Sequence, residues 1–101
     1  MSKARKMIII RDVIGSHNAD SIEKGNLIVD AISEASKRYS IIGLNFSGLN
    51  FVTVKFLNPI VKKKMETDDC EIYMCNLNCY AQELLLESIR VVTSDATCFR
   101  R

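Results

Sequence analysis

Ser16, His17 and Asp20 are the residue types of a hydrolytic triad, and Cys70, Cys75, Cys79 and Cys98 are types that bind zinc or act as nucleophiles. A triad needs the imidazole held between hydroxyl and carboxylate by separate parts of a fold. Polar residues crowded into Ser16-His-Asn-Ala-Asp20 more simply satisfy backbone groups, so the segment is read as a turn and helix cap. Cys70-x4-Cys75-x3-Cys79 lacks the tight pairs of a structural zinc site, and the single histidine is distant in sequence. Cys79 alone has a physical argument for reactivity, because it opens a predicted helix, where the backbone dipole favours a thiolate. The other thiols read as small buried hydrophobes. Asp68-Asp69 in a loop and Glu83/Glu87 at i,i+4 are solvated pairs. Gly15, Gly25, Gly43 and Gly48 form neither a Walker loop nor a dinucleotide fingerprint. These residues together predict no catalytic site, no cofactor and no metal.

The chain has 101 residues, of which 48% are hydrophobic, enough for one modest core. No apolar run is long enough to span a bilayer, and Met1–Lys6 with the short run after it is not a signal-peptide core. A cytoplasmic location and reduced thiols are therefore expected, rather than a disulfide framework. The net charge of +2 is divided among Lys3/Arg5/Lys6, Lys62–Lys64 and Arg100/Arg101, too dispersed for a nucleic-acid footprint.

The elements that would position a site follow from periodicity. Met7–Asp12 reads as an opening strand and Val13–Ser16 as a loop. Leu27, Ile28, Ala31, Ile32, Ala35 and Tyr39 mark an amphipathic helix, entered through an Asp20/Glu23 capping box and weakened by Gly25. Ser40–Phe46 is an interior strand, followed by turn residues Ser47–Asn50. Phe56, Leu57, Ile60, Val61 and Met65 define a second helix, starting either near Thr53 or at Pro59 with Asn58 as cap. Cys70–Cys75 is a strand, Cys79–Glu87 a helix burying Ala81, Leu84 and Leu85, and Ile89–Thr93 a last strand. The expected α/β fold is one domain over 7–93, with a basic extension 1–6 and a tail 94–101 anchored by Cys98 and Phe99. Its order is βαβαβαβ, with a four-stranded, largely parallel or mixed sheet and three helices.

Within this pattern, Ile42-Gly-Leu-Asn-Phe-Ser-Gly-Leu-Asn-Phe-Val-Thr-Val-Lys-Phe-Leu57 resembles STAS domains, the sulfate transporter and anti-sigma factor antagonist fold. Those carry Φ-x-F-Φ-D-S-S/T-G-L where a strand and turn open a helix. Leu49–Val52 matches the first half. Thr53 stands at the family's aspartate, Val54 at its phosphorylated serine, Lys55 at the second hydroxyl residue and Phe56 at its glycine. Phe51–Asn58 is closer to the bacterial STAS-like domains of unknown function, which read F-I-T/S-x-x-F-A/L-D/N-E. The resemblance covers roughly residues 7–93 and rests mainly on this one motif.

The resemblance implies a non-enzymatic signalling module that binds a protein partner such as an ATP-binding kinase-like regulator. Typical members are switched by phosphorylation at the helix start, where a phosphate gains from the dipole but disrupts an apolar contact. With valine at position 54, Thr53 is the nearest hydroxyl, and it also serves as a helix cap. The expected contact residues are Ser47, Asn50, Thr53, Lys55, Asn58 and Lys62, with Lys55, Asn58 and Lys62 exposed and Phe51 and Phe56 in the core. The rival reading is a small-ligand or nucleotide sensor at the strand ends, lined by Ser16, Asn18, Ser47 and Asn76. A third is a homo-oligomeric structural component of a phage or defence system.

Overall fold

The structure, a computed structural model, describes residues 4–99, with side chains described from residue 4 to residue 93. Three parallel strands, β1 (Arg5–Ile9), β3 (Ile41–Asn45) and β5 (Glu71–Cys75), form a sheet in the order β1-β3-β5. Two short strands, β2 (Asn18–Ala19) and β4 (Phe51–Val52), pair in parallel as a separate ladder. Among the described residues four helices complete the α/β fold: α1 (Ile10–Ile14), α2 (Ile22–Ala35), α3 (Val54–Glu66) and α4 (Cys79–Phe99). The expected single sheet of four strands with three helices is thus replaced by a three-stranded sheet, a two-stranded ladder and four helices. No helix among the described residues is long and apolar enough to cross a membrane.

Strand alternation assigns the two faces of the sheet. Ile8, Ile42, Leu44 and Ile72 are buried together with Ile28 and Ile32 of α2 and Phe56, Leu57 and Ile60 of α3. The β-branched isoleucines suit the pleated strands, and burying each of these side chains contributes roughly 1.5–3 kcal/mol. Met7, Gly43 and Tyr73 are paired across the other face. There the Tyr73 ring lies over Gly43, where an added Cβ would fall 2.6 Å from the ring. Met7 on that face remains 43% exposed.

Helix α2 begins at Ser21, whose hydroxyl accepts from Lys24 N, so Ser21 takes the cap expected of Asp20. Asp20 instead receives the Lys24 ammonium at 2.9 Å. Gly25 is buried where α2 meets α3, and a Cβ there would lie 2.4 Å from the Phe56 carbonyl oxygen and 2.7 Å from Pro59 Cγ. Helix α3 starts after Thr53, whose Oγ1 accepts from Phe56 N at 3.3 Å. That selects the earlier of the two starts left open by sequence. Pro59 lies inside the helix, where it has no N–H to offer the Lys55 carbonyl, but its ring packs at the Gly25 contact. Helix α4 docks on α3 through a partly buried hydrogen bond: Ser88 Oγ donates to Asn58 Oδ1 at 2.6 Å.

Two sequence expectations fail for the same reason, a β-branched run that tertiary packing holds as helix. Ile10-Arg-Asp12 is helical rather than strand, with Ile10 fully buried and Gly15 closing α1 in the left-handed region (φ 65°). Ile89–Thr93 is not a final strand but the continuation of α4. No glycine or proline interrupts 79–99, and Ala81, Leu84, Leu85 and Ser88 keep one helical face toward the interior. The helix continues to Phe99, so 94–99 is not an extended tail. The anchoring expected of the Cys98 and Phe99 side chains lies outside the described residues. At the other end β1 already includes Arg5 and Lys6, so the sheet begins inside the expected basic extension.

Candidate functional site

The three parallel strands end together, and the segments that leave them build a polar rim. Asn45 closes β3 and organises the neighbouring loops: its Oδ1 accepts from Ser47 N and from Asn76 Nδ2, both at 2.9 Å. Asn76 holds a left-handed backbone (φ 59°), which asparagine tolerates better than most residues. Gly48 also has positive φ (81°), and an added Cβ would fall 2.5 Å from Arg11 Nη1. A side chain at position 48 would therefore be strained by its backbone angle and would displace the α1 arginine.

The 47–53 segment is laced to residues 17–19. His17 Nδ1 donates to the Gly48 carbonyl at 2.9 Å, Asn50 N donates to the His17 carbonyl at 2.8 Å, and Thr53 N to the Ala19 carbonyl at 3.0 Å. The β2–β4 ladder places Asn18 beside Phe51 and Ala19 beside Val52. Val52 is buried, which turns Phe51 outward with 50% of its surface exposed. The result is a short strand tied down along one edge and capped by Thr53 at the entrance to α3.

Of the expected contact residues, Ser47, Asn50, Lys55 and Lys62 are exposed. Lys62 lies two helical turns beyond Lys55, about 10 Å along α3. Thr53 is half-buried with its hydroxyl in the cap. Asn58 is not the exposed contact expected of it, because its side chain is half-buried and engaged by Ser88. The two phenylalanines divide: Phe56 is fully buried as expected, whereas Phe51 is not a core residue. The signal that separates them is in the sequence. Phe56 falls in register with Leu57, Ile60 and Val61 on a helix, while Phe51 alternates with Val52 on a strand with one buried face.

The groups with chemical potential are drawn into structural roles. His17 is committed to Gly48 and Asp20 to Lys24, so the Ser16, His17 and Asp20 side chains do not form a relay. Ser16 Oγ accepts from Asn18 N within its own turn. The Lys24 hydrogen bond, with its charge, holds the Asp20 carboxyl below the usual carboxylate range. Among the described residues, no three of the His, Cys, Asp and Glu side chains converge to hold a metal. Cys70 is buried with its Sγ 3.5 Å from the Tyr39 carbonyl oxygen, and Cys75 Sγ lies 3.6 Å from the Leu44 carbonyl oxygen.

Cys79 is exposed at the start of α4. Burial, and then the Asp69 and Glu71 charges, push the Cys70 thiol up from its ordinary range. Iodoacetamide at neutral pH is therefore expected to label Cys79 well ahead of Cys70, as read by peptide mapping. Equal rates would show that Cys70 is open to solvent.

Comparison with family models, with characterised proteins and with solved structures gives no match.

Proposed function

We propose that this chain is a non-enzymatic regulatory module that docks on a partner protein through Ser47, Asn50, Phe51 and Lys55, with Lys62 extending the surface along α3. The observation that carries this reading is Phe51, half-exposed on a strand fixed by backbone hydrogen bonds and flanked by exposed polar side chains. An aromatic anchor with a polar rim has the make-up of an interface hot spot, and a prefixed backbone lowers the ordering cost of binding. The resemblance of Phe51–Asn58 to STAS-like domains supports the same surface and favours an ATP-binding kinase-like regulator as partner. Thr53 then serves by capping α3 and fixing the exit of β4, and Val54 offers no phosphate acceptor.

The ligand-sensor reading has less behind it. The strand order β1-β3-β5 runs in one direction, without the reversal that opens a binding crevice in doubly wound sheets. Asn76 and the Ser47 backbone, two of its expected lining groups, are engaged with Asn45. The docking reading is tested by retrieving partners from host extract with the wild-type chain and with a Phe51→Ser/Lys55→Glu variant. A protein held by the first and lost by the second, with unchanged circular dichroism, is the expected outcome. Equal retention by both would remove the surface from consideration.

A further inference from the structure

The two edges of the three-stranded sheet are treated differently. At the β5 edge the Lys64 ammonium donates to the Ile72 carbonyl, placing a charged side chain over the outer edge of the sheet. At the β1 edge no strand is paired among the described residues, and a groove of about 690 Å³ runs beside Lys6–Ile9, between β1 and α2. Ile41 N donates to the Ala4 carbonyl, so residues 4, 6 and 8 of the parallel ladder face β3. Arg5 and Met7 therefore direct their N–H and C=O groups to the open edge, and Ile9 its N–H, while the Ile9 carbonyl, at the N-cap of α1, belongs to that helix.

We propose that this edge pairs antiparallel with β1 of a second copy of the chain, joining the two three-stranded sheets into one. A two-fold axis at Met7 sets Met7 opposite Met7 of the second copy and Arg5 opposite Ile9, so the Met7 N–H and C=O groups pair reciprocally and each Ile9 N–H meets the Arg5 carbonyl of the other copy. The charges of the groove select this occupant and direction. Arg38, in the turn after α2, lies toward the N-terminal end of β1, while Asp12, in α1, follows its C-terminal end. Antiparallel association brings Arg38 of each copy toward Asp12 of the other, whereas a parallel arrangement would set Arg38 near Arg38 and Asp12 near Asp12. The local pair Arg11–Asp12 at 4.0 Å is exposed and weakly held, leaving the Asp12 carboxylate able to face the second copy. The surface is separate from the 47–55 rim, so this inference stands or falls independently of the docking function.

Sedimentation velocity on the full chain, from low to high micromolar concentration, is expected to give a species of twice the 11.4 kDa chain mass. Met7→Pro removes an outward N–H without touching the β1–β3 ladder, and proline is tolerated on such an edge. It is expected to sediment as a folded monomer. Arg38→Glu sets acid against acid and is expected to weaken the dimer about tenfold, with Asp12→Arg in the same chain restoring it. A wild-type chain that stays monomeric throughout, a folded Met7→Pro dimer, or an Arg38→Glu dimer of unchanged affinity would each overturn the proposal. The charge pair decides the matter if the proline variant does not fold.

Discussion

Gly25→Ala is expected to lower stability by about 2 kcal/mol, although alanine is the better helix former. On propensity alone the change would add roughly 0.8–1.0 kcal/mol in a helix interior. Packing reverses the sign. The new Cβ would lie 2.4 Å from the Phe56 carbonyl oxygen and 2.7 Å from Pro59 Cγ, so α2 and α3 would have to separate along their shared face. The neighbour is backbone and cannot rotate away. Urea denaturation with unchanged m-value would report the loss directly, and an alanine variant more stable than wild type would mean that the two helices do not meet at this glycine.

The largest effect is expected at Phe56, which is fully buried between the sheet and the helices. Phe56→Ala removes a ring from a close-packed site and should cost roughly 3–5 kcal/mol, a large share of the stability of a domain this size. Phe51→Ala, by contrast, should stay within about 0.5–1 kcal/mol, because half of that ring already faces solvent. The paired measurement separates a residue kept for packing from one free to serve an interface. A Phe51→Ala loss as large as that of Phe56→Ala would place Phe51 among the packing residues and leave the docking surface without its anchor.

The residues show why part of this fold is readable from sequence. Strands β3 and β5 and helices α2 and α3 carry local signals: a continuous apolar run, a 3.6-residue stripe and polar caps. The two-residue ladder of β2 and β4 carries none, because Asn18-Ala19 becomes a strand only when Phe51-Val52 lies beside it. Ile89–Thr93 misleads because its β-branched residues favour a strand locally, whereas Ser88 and the residues before it fix the helix on α3. Gly25 misleads in the opposite way: what looks like a defect in α2 is the point of closest approach to α3.

The candidate site is legible as a segment and less so residue by residue. The Phe51–Asn58 stretch stands out by its resemblance, but Asn58 turns toward Ser88 and Phe51 turns outward, and each depends on contacts distant in sequence. Thr53 is readable as a cap because a threonine ahead of an apolar helical stripe has a local reason to be there.

The most direct test of the docking claim is calorimetric titration of the retrieved partner, after purification, with the wild-type chain and with Phe51→Ser/Lys55→Glu. Loss of an aromatic anchor and its flanking charge predicts a dissociation constant at least about thirtyfold higher for the variant, at unchanged fold. Matching dissociation constants for the two chains would contradict the account.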